Sequence, residues 1–288
     1  MKNVEYLNLI KETFPEISIQ DFSILGNGKC GTACLVNKNV IFKISNTDEK
    51  SYRDTFREHN VLSKMPDKTP FEYPHIIYSG RKNKDRFLFG ESLISGITYS
   101  KKLHDSFDEN TKSDILQQIG CLMRKLHSID IKNDDGVLFV SDYTTAIDAF
   151  NKYYTDKVRA CFSATDQDRI QQLCERYRYL SLNYPVKNVL VHADMHFGNL
   201  MFNKETKQIT GLLDFGAAHL AEPARDMHYY YGDGIKNILI GYGSNGDSFL
   251  PERQKIMSLV NFLSIINEEI ETNQSPDNDI RKLLNILQ

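Results

Sequence analysis

In NVLVHADMHFGNLMF an aspartate, Asp194, follows an apolar run, Asn199 comes five residues later, and Asp214 follows in ITGLLDFG after fifteen more. Oxygen groups so spaced at strand ends can share one pocket with separate tasks. One carboxylate can accept the proton of a hydroxyl, while an amide oxygen and a second carboxylate hold a divalent cation through hard oxygen ligands. That division suits phosphoryl transfer, in which Mg2+ offsets charge on the phosphates. His192 and His196 also stand four apart, a zinc spacing on a helix. Gly198, the flanking strand-like runs and the lack of an HExxH glutamate argue against a zinc hydrolase. A purely structural turn rich in His and Asp is the other reading of these residues.

Three upstream features bear on that choice. Gly26, Gly28 and Gly31 spell GxGxxG, followed by the strand-like TACLV rather than a helix. Strand, glycine turn, strand fits a flap whose backbone N–H groups approach a triphosphate, whereas a dinucleotide fold needs a helix there. A plain hairpin turn would look the same. Lys43 sits in the apolar run VIFKIS, where a buried ammonium needs an anionic partner, and Glu58 lies fifteen residues on in a helical stretch. A strand lysine paired to a helix glutamate is how kinases hold the α and β phosphates. The bland alternative turns Lys43 and Glu58 to solvent. Each feature alone is modest, but a structural turn leaves their common order unexplained.

The elements that must position these residues divide in two. Short β-rich runs, DFSIL, TACLV, VIFKIS and DRFLFGESLI, fill the first ninety-odd residues around a single helix between Glu49 and Met65. From Thr111 the pattern turns helical, with Ile115, Ile119, Leu122, Met123 and Leu126 forming one stripe. Further helices are expected around 144–154, 166–179, 252–271 and 277–287, with a small hairpin set among them. Residues 1–96 carry 14 basic and 12 acidic side chains, residues 97–288 carry 21 and 26. No internal repeat is visible. The 288 residues hold 41% apolar side chains with a net charge of -3, which excludes disorder and gives no basic footprint for nucleic acid or anionic membrane. Five scattered cysteines without a CxxC pair, no signal-peptide core and no long apolar run predict a cytoplasmic protein with reduced thiols.

At these residues the chain resembles the aminoglycoside phosphotransferase and choline kinase superfamily, with HADMHFGN where that family has HGDLHxGN and LLDFG where it has IDFG. Ala193 for Gly and Met195 for Leu are departures. The resemblance spans nearly the whole chain and is nearest to the 2''-phosphotransferases, on FPEISIQ through LVNKNVIFK and on FLFGESLISG. It implies an α+β, bilobal, protein-kinase-like fold: residues 1–91 a nucleotide-binding lobe, 92–96 a hinge, and 97–288 a helical lobe with catalytic loop and acceptor site. It makes Asp194 the catalytic base, Asn199 and Asp214 the magnesium ligands, and Lys43 with Glu58 the phosphate-binding pair. The glycines and the backbone near Ser92 and Ile94 would meet ATP or GTP. Only eight and nine residues separate Glu222 and Pro223 from Asp214, too few for a peptide platform, so a small acceptor is expected. An acidic lobe suits a cationic aminoglycoside, with Asp233, Glu268 and Glu269 as candidate contacts. In EPARD, Asp226 is expected to act structurally beside the catalytic loop. Rival readings are a kinase of choline, homoserine, methylthioribose, another sugar or a macrolide, and a nucleotide-binding module without transfer. Oligomeric state is left open.

Overall fold

Tyr6, Ile10 and Phe14 recur at four-residue spacing, and all three are buried. In the computed structural model, which describes residues 2–243 and 246–287, the first two lie on α1 (Lys2–Thr13) and Phe14 just beyond it, in one cluster with Cys34, Val36, Phe42 and Ile44. The sequence reading gave the N-terminal sheet one helix; it has two. With Val4, Leu7 and Leu9 spread over the rest of the segment, that stripe does not stand out until a sheet is there to receive it.

That sheet holds β1 (Phe22–Asn27), β2 (Gly31–Val36), β3 (Val40–Ser45), β4 (Ile76–Asn83) and β5 (Arg86–Ser92) in the antiparallel order β1-β2-β3-β5-β4. Thr32, Cys34 and Val36 alternate inward along β2, the period of a strand with one face on a core. Between β3 and β4 runs α2 (Glu49–Lys64), started by Asp48, whose Oδ1 accepts the Ser51 N–H at 2.9 Å. It stops at Met65, which is extended before Pro66 as a residue preceding proline should be.

The chain continues through β6 (Ile97–Thr98), α3 (Lys101–Asp105), α4 (Glu109–His127), α5 (Tyr143–Tyr153), α6 (Asp156–Arg159), α7 (Ala164–Asn183), β7 (Val189–Val191), β8 (Leu200–Asn203), β9 (Gln208–Leu212), β10 (His219–Ala221), α8 (Asp233–Tyr242), α9 (Leu250–Glu271) and α10 (Asp277–Ile286). β6, β8 and β9 make one small sheet, and β7 pairs with β10 in another. By contact the chain groups into two units. One comprises 1–99, 131–138 and 197–218; the other comprises 100–130, 139–196 and 219–288. The hairpin β8–β9 therefore belongs to the unit that holds the N-terminal sheet rather than to the helices among which the sequence reading set it. The cause is backbone bonding: Glu72 N–H donates to Thr210 O and Leu212 N–H to Glu72 O, while Ile97 pairs with Phe202.

The helical unit contains α8, which the sequence reading did not anticipate. Gly234 and Gly241 make it a poor helix by propensity. Gly241 is needed all the same, because a Cβ there would stand 1.8 Å from the Gln117 carbonyl oxygen of α4. Gly120 of α4 answers it, 2.0 Å from Ile238 O by the same measure. Among the described residues no helix is long and apolar enough to cross a membrane, and the five cysteines are free thiols.

Candidate active site

Lys43 projects from β3 into three carboxylates of its own unit. Its Nζ lies 2.6 Å from Glu58 Oε1, 3.8 Å from Glu91 Oε1 and 3.9 Å from Asp214 Oδ1. Burial alone would lower the ammonium, but Glu58, Glu91 and Asp214 outweigh it and hold Lys43 above its ordinary value. The Glu58 oxygen that takes Lys43 also accepts the Phe215 N–H at 3.0 Å, so one carboxylate fixes both the strand lysine and the turn after Asp214. Arg57, one residue earlier on α2, donates to Gly216 O at 3.1 Å.

Glu91 was missed from the sequence. It is 1% exposed, its Oε2 has no hydrogen-bond partner among the described residues, and burial pushes its carboxyl up to about 8 against the pull of Lys43. Its signal was an acid inside the apolar β5 run, two residues beyond Phe89, which pairs with Lys43 across the sheet. Side chains two apart on a strand share a face, so Glu91 and Lys43 do too.

Asn199 and Asp214 are brought to one end of the β8–β9 hairpin. Leu200 pairs with Leu212, and one step further Leu213 N–H donates to Asn199 O at 2.9 Å. Asn199 is buried, whereas the Asp214 side chain is 55% exposed on a left-handed backbone of φ 62°. A non-glycine residue in that region is strained, and such strain collects at functional sites. Among the described residues no cluster of three His, Cys, Asp or Glu could hold a metal. An amide and a carboxylate oxygen nonetheless fit Mg2+, which takes one or two protein oxygens and completes its shell with water and phosphate. His192 and His196 lie in the turn after β7 and not on a helix, so their spacing of four does not put them on one helical face.

The glycine turn between β1 and β2 is closed by Gly28 N–H donating to Gly31 O at 2.8 Å. Gly31 is demanded by the fold, because its Cβ would meet Ile44 O at 2.2 Å. Gly26 and Gly28 are not: a Cβ at Gly26 meets nothing within 4 Å and one at Gly28 only Gly31 O at 3.7 Å. They leave a cradle into which a ligand backbone contact fits. At the end of β5 the Ser92 N–H is already given to His75 O at 2.8 Å, and its hydroxyl accepts the His75 N–H at 2.9 Å. Ile94, of the two expected base contacts, keeps its backbone groups unbonded among the described residues.

The second unit carries Asp194. A single buried carboxylate shapes its loop: Asp226 Oδ2 accepts the His192 N–H at 3.0 Å and Oδ1 the Ala193 N–H at 2.6 Å. His127 Nε2 lies 2.8 Å from the same Oδ2, and its Nδ1 is 2.9 Å from the Tyr242 hydroxyl. Burial would raise Asp226, but hydrogen bonds and charge from His127 and His192 hold it below the ordinary carboxylate value. Ala193, where the resembling family has glycine, has φ 61°. The bonds to Asp226 hold it there. Two tyrosines complete the loop: Tyr229 donates to Asp194 Oδ1 at 2.5 Å and Tyr230 to Met195 O at 2.9 Å. Neither was anticipated, since a tyrosine run shows no spacing that distinguishes a hydrogen-bonding phenol from a core ring. His196 Nε2 stands 3.7 Å from Asp194 Oδ2.

Of the expected acceptor contacts, Asp233 opens α8 with its side chain 91% exposed and paired to Lys236 at 2.7 Å. Glu268 is exposed on α9. Glu269 is half-buried, and burial and then Asp279 push its carboxyl up.

A profile of the phosphotransferase enzyme family matches residues 31–238. Among solved structures, the GDP and kanamycin complex of APH(2")-IIia is 18% identical with a TM-score of 0.77, covering 99% of this chain and 97% of that one. The streptomycin-ATP ternary complex of APH(2")-IIa is 15% identical with a TM-score of 0.70, covering 98% and 96%. These likenesses give the fold: α+β, of the kinase-like kind. A curated relative, Acyl-CoA dehydrogenase family member 10 of Mus musculus, is 23% identical over 159 residues, 51% of this chain. The chain spans only 14% of that relative's length.

Proposed function

Because this chain belongs to the phosphotransferase enzyme family, we propose that it moves the γ-phosphate of ATP or GTP to a hydroxyl of an aminoglycoside, a 2''-type transfer. The observation that carries the chemistry is Asp194, a carboxylate on a loop preset by Asp226 and held at one oxygen by a phenol. In this reading the acceptor hydroxyl gives its proton to Asp194 as its oxygen attacks the γ-phosphorus. The bond from the γ-phosphorus to the bridging oxygen breaks, and the nucleoside diphosphate leaves with that electron pair. Lys43, kept charged by Glu58, binds the phosphates; Gly26 and Gly28 let the turn approach them; Ile94 offers its backbone to the base. Asn199 and Asp214 would hold Mg2+, which supplies positive charge to offset that of the phosphates.

Residues 1–99, 131–138 and 197–218 then carry the nucleotide, with the hinge at 92–96, and the remaining residues take the acceptor, in a cytoplasmic enzyme. Support for a cationic acceptor is the acidic excess of 97–288, 26 acidic against 21 basic side chains. Kanamycin and streptomycin in the complexes above support the class, and their different nucleotides, GDP and ATP, make both donors worth testing. Turnover is to be measured with Mg2+ and each nucleotide over kanamycin- and gentamicin-type compounds, with choline, homoserine and methylthioribose as controls. Stimulation by the aminoglycosides is expected. Asp194→Ala should lower kcat by about 10^2 to 10^4 while leaving nucleotide binding intact. Full turnover in that variant would sink the assignment.

A further inference from the structure

A carboxylate that must take a proton from a hydroxyl has to face it, yet a carboxyl group turns about its Cβ–Cγ bond in a broad, nearly two-fold potential. At Asp194 that symmetry is broken by Tyr229, whose hydroxyl donates to Oδ1 at 2.5 Å, the range of a charge-assisted hydrogen bond. We infer that Tyr229 is a positioning residue of the transfer, one that fixes the orientation of the Asp194 carboxylate and so brings its proton-accepting oxygen into line with the acceptor. This rests on Asp194 being the base.

The phenol is itself well placed for that task. Its ring lies against His228, tilted by 39° with 4.0 Å between centroids, and meets the His196 ring at right angles with 5.6 Å between centroids. His228 is 3% exposed and burial lowers its imidazole to about 3, so it is a neutral ring at working pH. Its Nδ1 lies 2.7 Å from Arg225 O, which requires that nitrogen to carry the proton. A neutral, tethered imidazole thus packs against the tyrosine ring. Burial, and then the hydrogen bond to Asp194, push the phenol up from its ordinary value, so Tyr229 remains a donor. Asp226, Tyr229 and Tyr230 lie within five consecutive residues and take hold of His192, Ala193, Asp194 and Met195 in turn. The Tyr229 bond goes to the Asp194 side chain, and those of Asp226 and Tyr230 go to backbone.

Tyr229→Phe deletes the hydroxyl and keeps the ring. With Mg-ATP and Mg-GTP, and with kanamycin or water as acceptor, kcat should fall roughly tenfold to hundredfold, the worth of a hydrogen bond to a charged group, with the nucleotide KM unchanged. In an Asp194→Ala background the same change should cost nothing more, because the group being oriented is gone. A crystal structure of Tyr229→Phe should show the Asp194 carboxylate in more than one orientation. An equal fold-loss in both backgrounds, or a single unchanged carboxylate orientation in the variant, would overturn the inference. Full activity of Asp194→Ala alone would instead overturn the base assignment on which it rests. Tyr230→Phe is the control: it loses a backbone tether, and its effect should persist in the Asp194→Ala background.

Discussion

One ammonium, Lys43, faces Glu58, Glu91 and Asp214 within 3.9 Å, and the charge cannot balance if all three carboxylates are ionised. Glu91 resolves it by keeping its proton, with a value of about 8 against an ordinary 4.5. A carboxyl whose value is raised on folding adds stability that is full below the unfolded value and is lost as pH rises through the folded one. Wild-type protein should therefore lose ground to Glu91→Gln steadily between pH 4.5 and about 8 when their Tm values are compared. A Tm difference that stays flat across that window would mean that Glu91 ionises normally. The Lys43 and Glu58 pair was legible because a lysine in an apolar strand demands an acid, and a helix offered one. Glu91 was hidden by its place beside the expected hinge, where an acid looks solvated. Tyr229 was hidden for another reason: its role depends on where the chain folds back, and no periodicity encodes that.

Among the elements, α4 announces itself through its stripe, and α2 through a charged run free of Pro and Gly with a proline just beyond it. α8 does not, because the two glycines that lower its propensity include the one that lets it lie against α4. Replacing Gly120 by alanine improves the intrinsic helix propensity of α4 by about 1 kcal/mol. Its new Cβ, however, would stand 2.0 Å from the Ile238 carbonyl oxygen, so the helices must part. The net result should be a loss of about 1–3 kcal/mol, read as a lower Tm in calorimetry. A raised Tm would show that propensity wins and that the close crossing is not needed. The same logic separates the glycines of the β1–β2 turn. All three were equal in the sequence, but only Gly31 is held by packing, against Ile44.

For the whole molecule, the residues proposed to handle phosphate, Lys43, Glu58, Asn199 and Asp214, fall in one unit, and Asp194 with Tyr229 in the other. Binding and chemistry should therefore separate by substitution. Saturating Mg-ATP or Mg-GTP, at about a hundred times Kd, should stabilise the protein by about 2.7 kcal/mol and raise Tm. Lys43→Ala and Asp214→Ala should lose most of that shift, and Asp194→Ala should keep it. A shift abolished equally in all three would contradict the separation. The order of motifs, and with it the fold class, was readable along the chain. The grouping of 197–218 with the N-terminal sheet was not, because it depends on Glu72 and Ile97 reaching strands a hundred residues away.

That grouping also bears on how the protein is made. The first unit is assembled from three stretches, and its last begins only after 139–196 has been laid down for the other unit. A ribosome at 5–20 residues per second needs about 6 to 24 s to travel from Tyr99 to Ala218. During that interval the nascent chain holds Ile97 without its partner Phe202, and Glu72 without Thr210 and Leu212. Pairings of such long sequence separation are slow to close and leave strand edges exposed while they wait. Synthesis, more than refolding of the finished chain, is therefore the stage at which these pairings wait for partners not yet made.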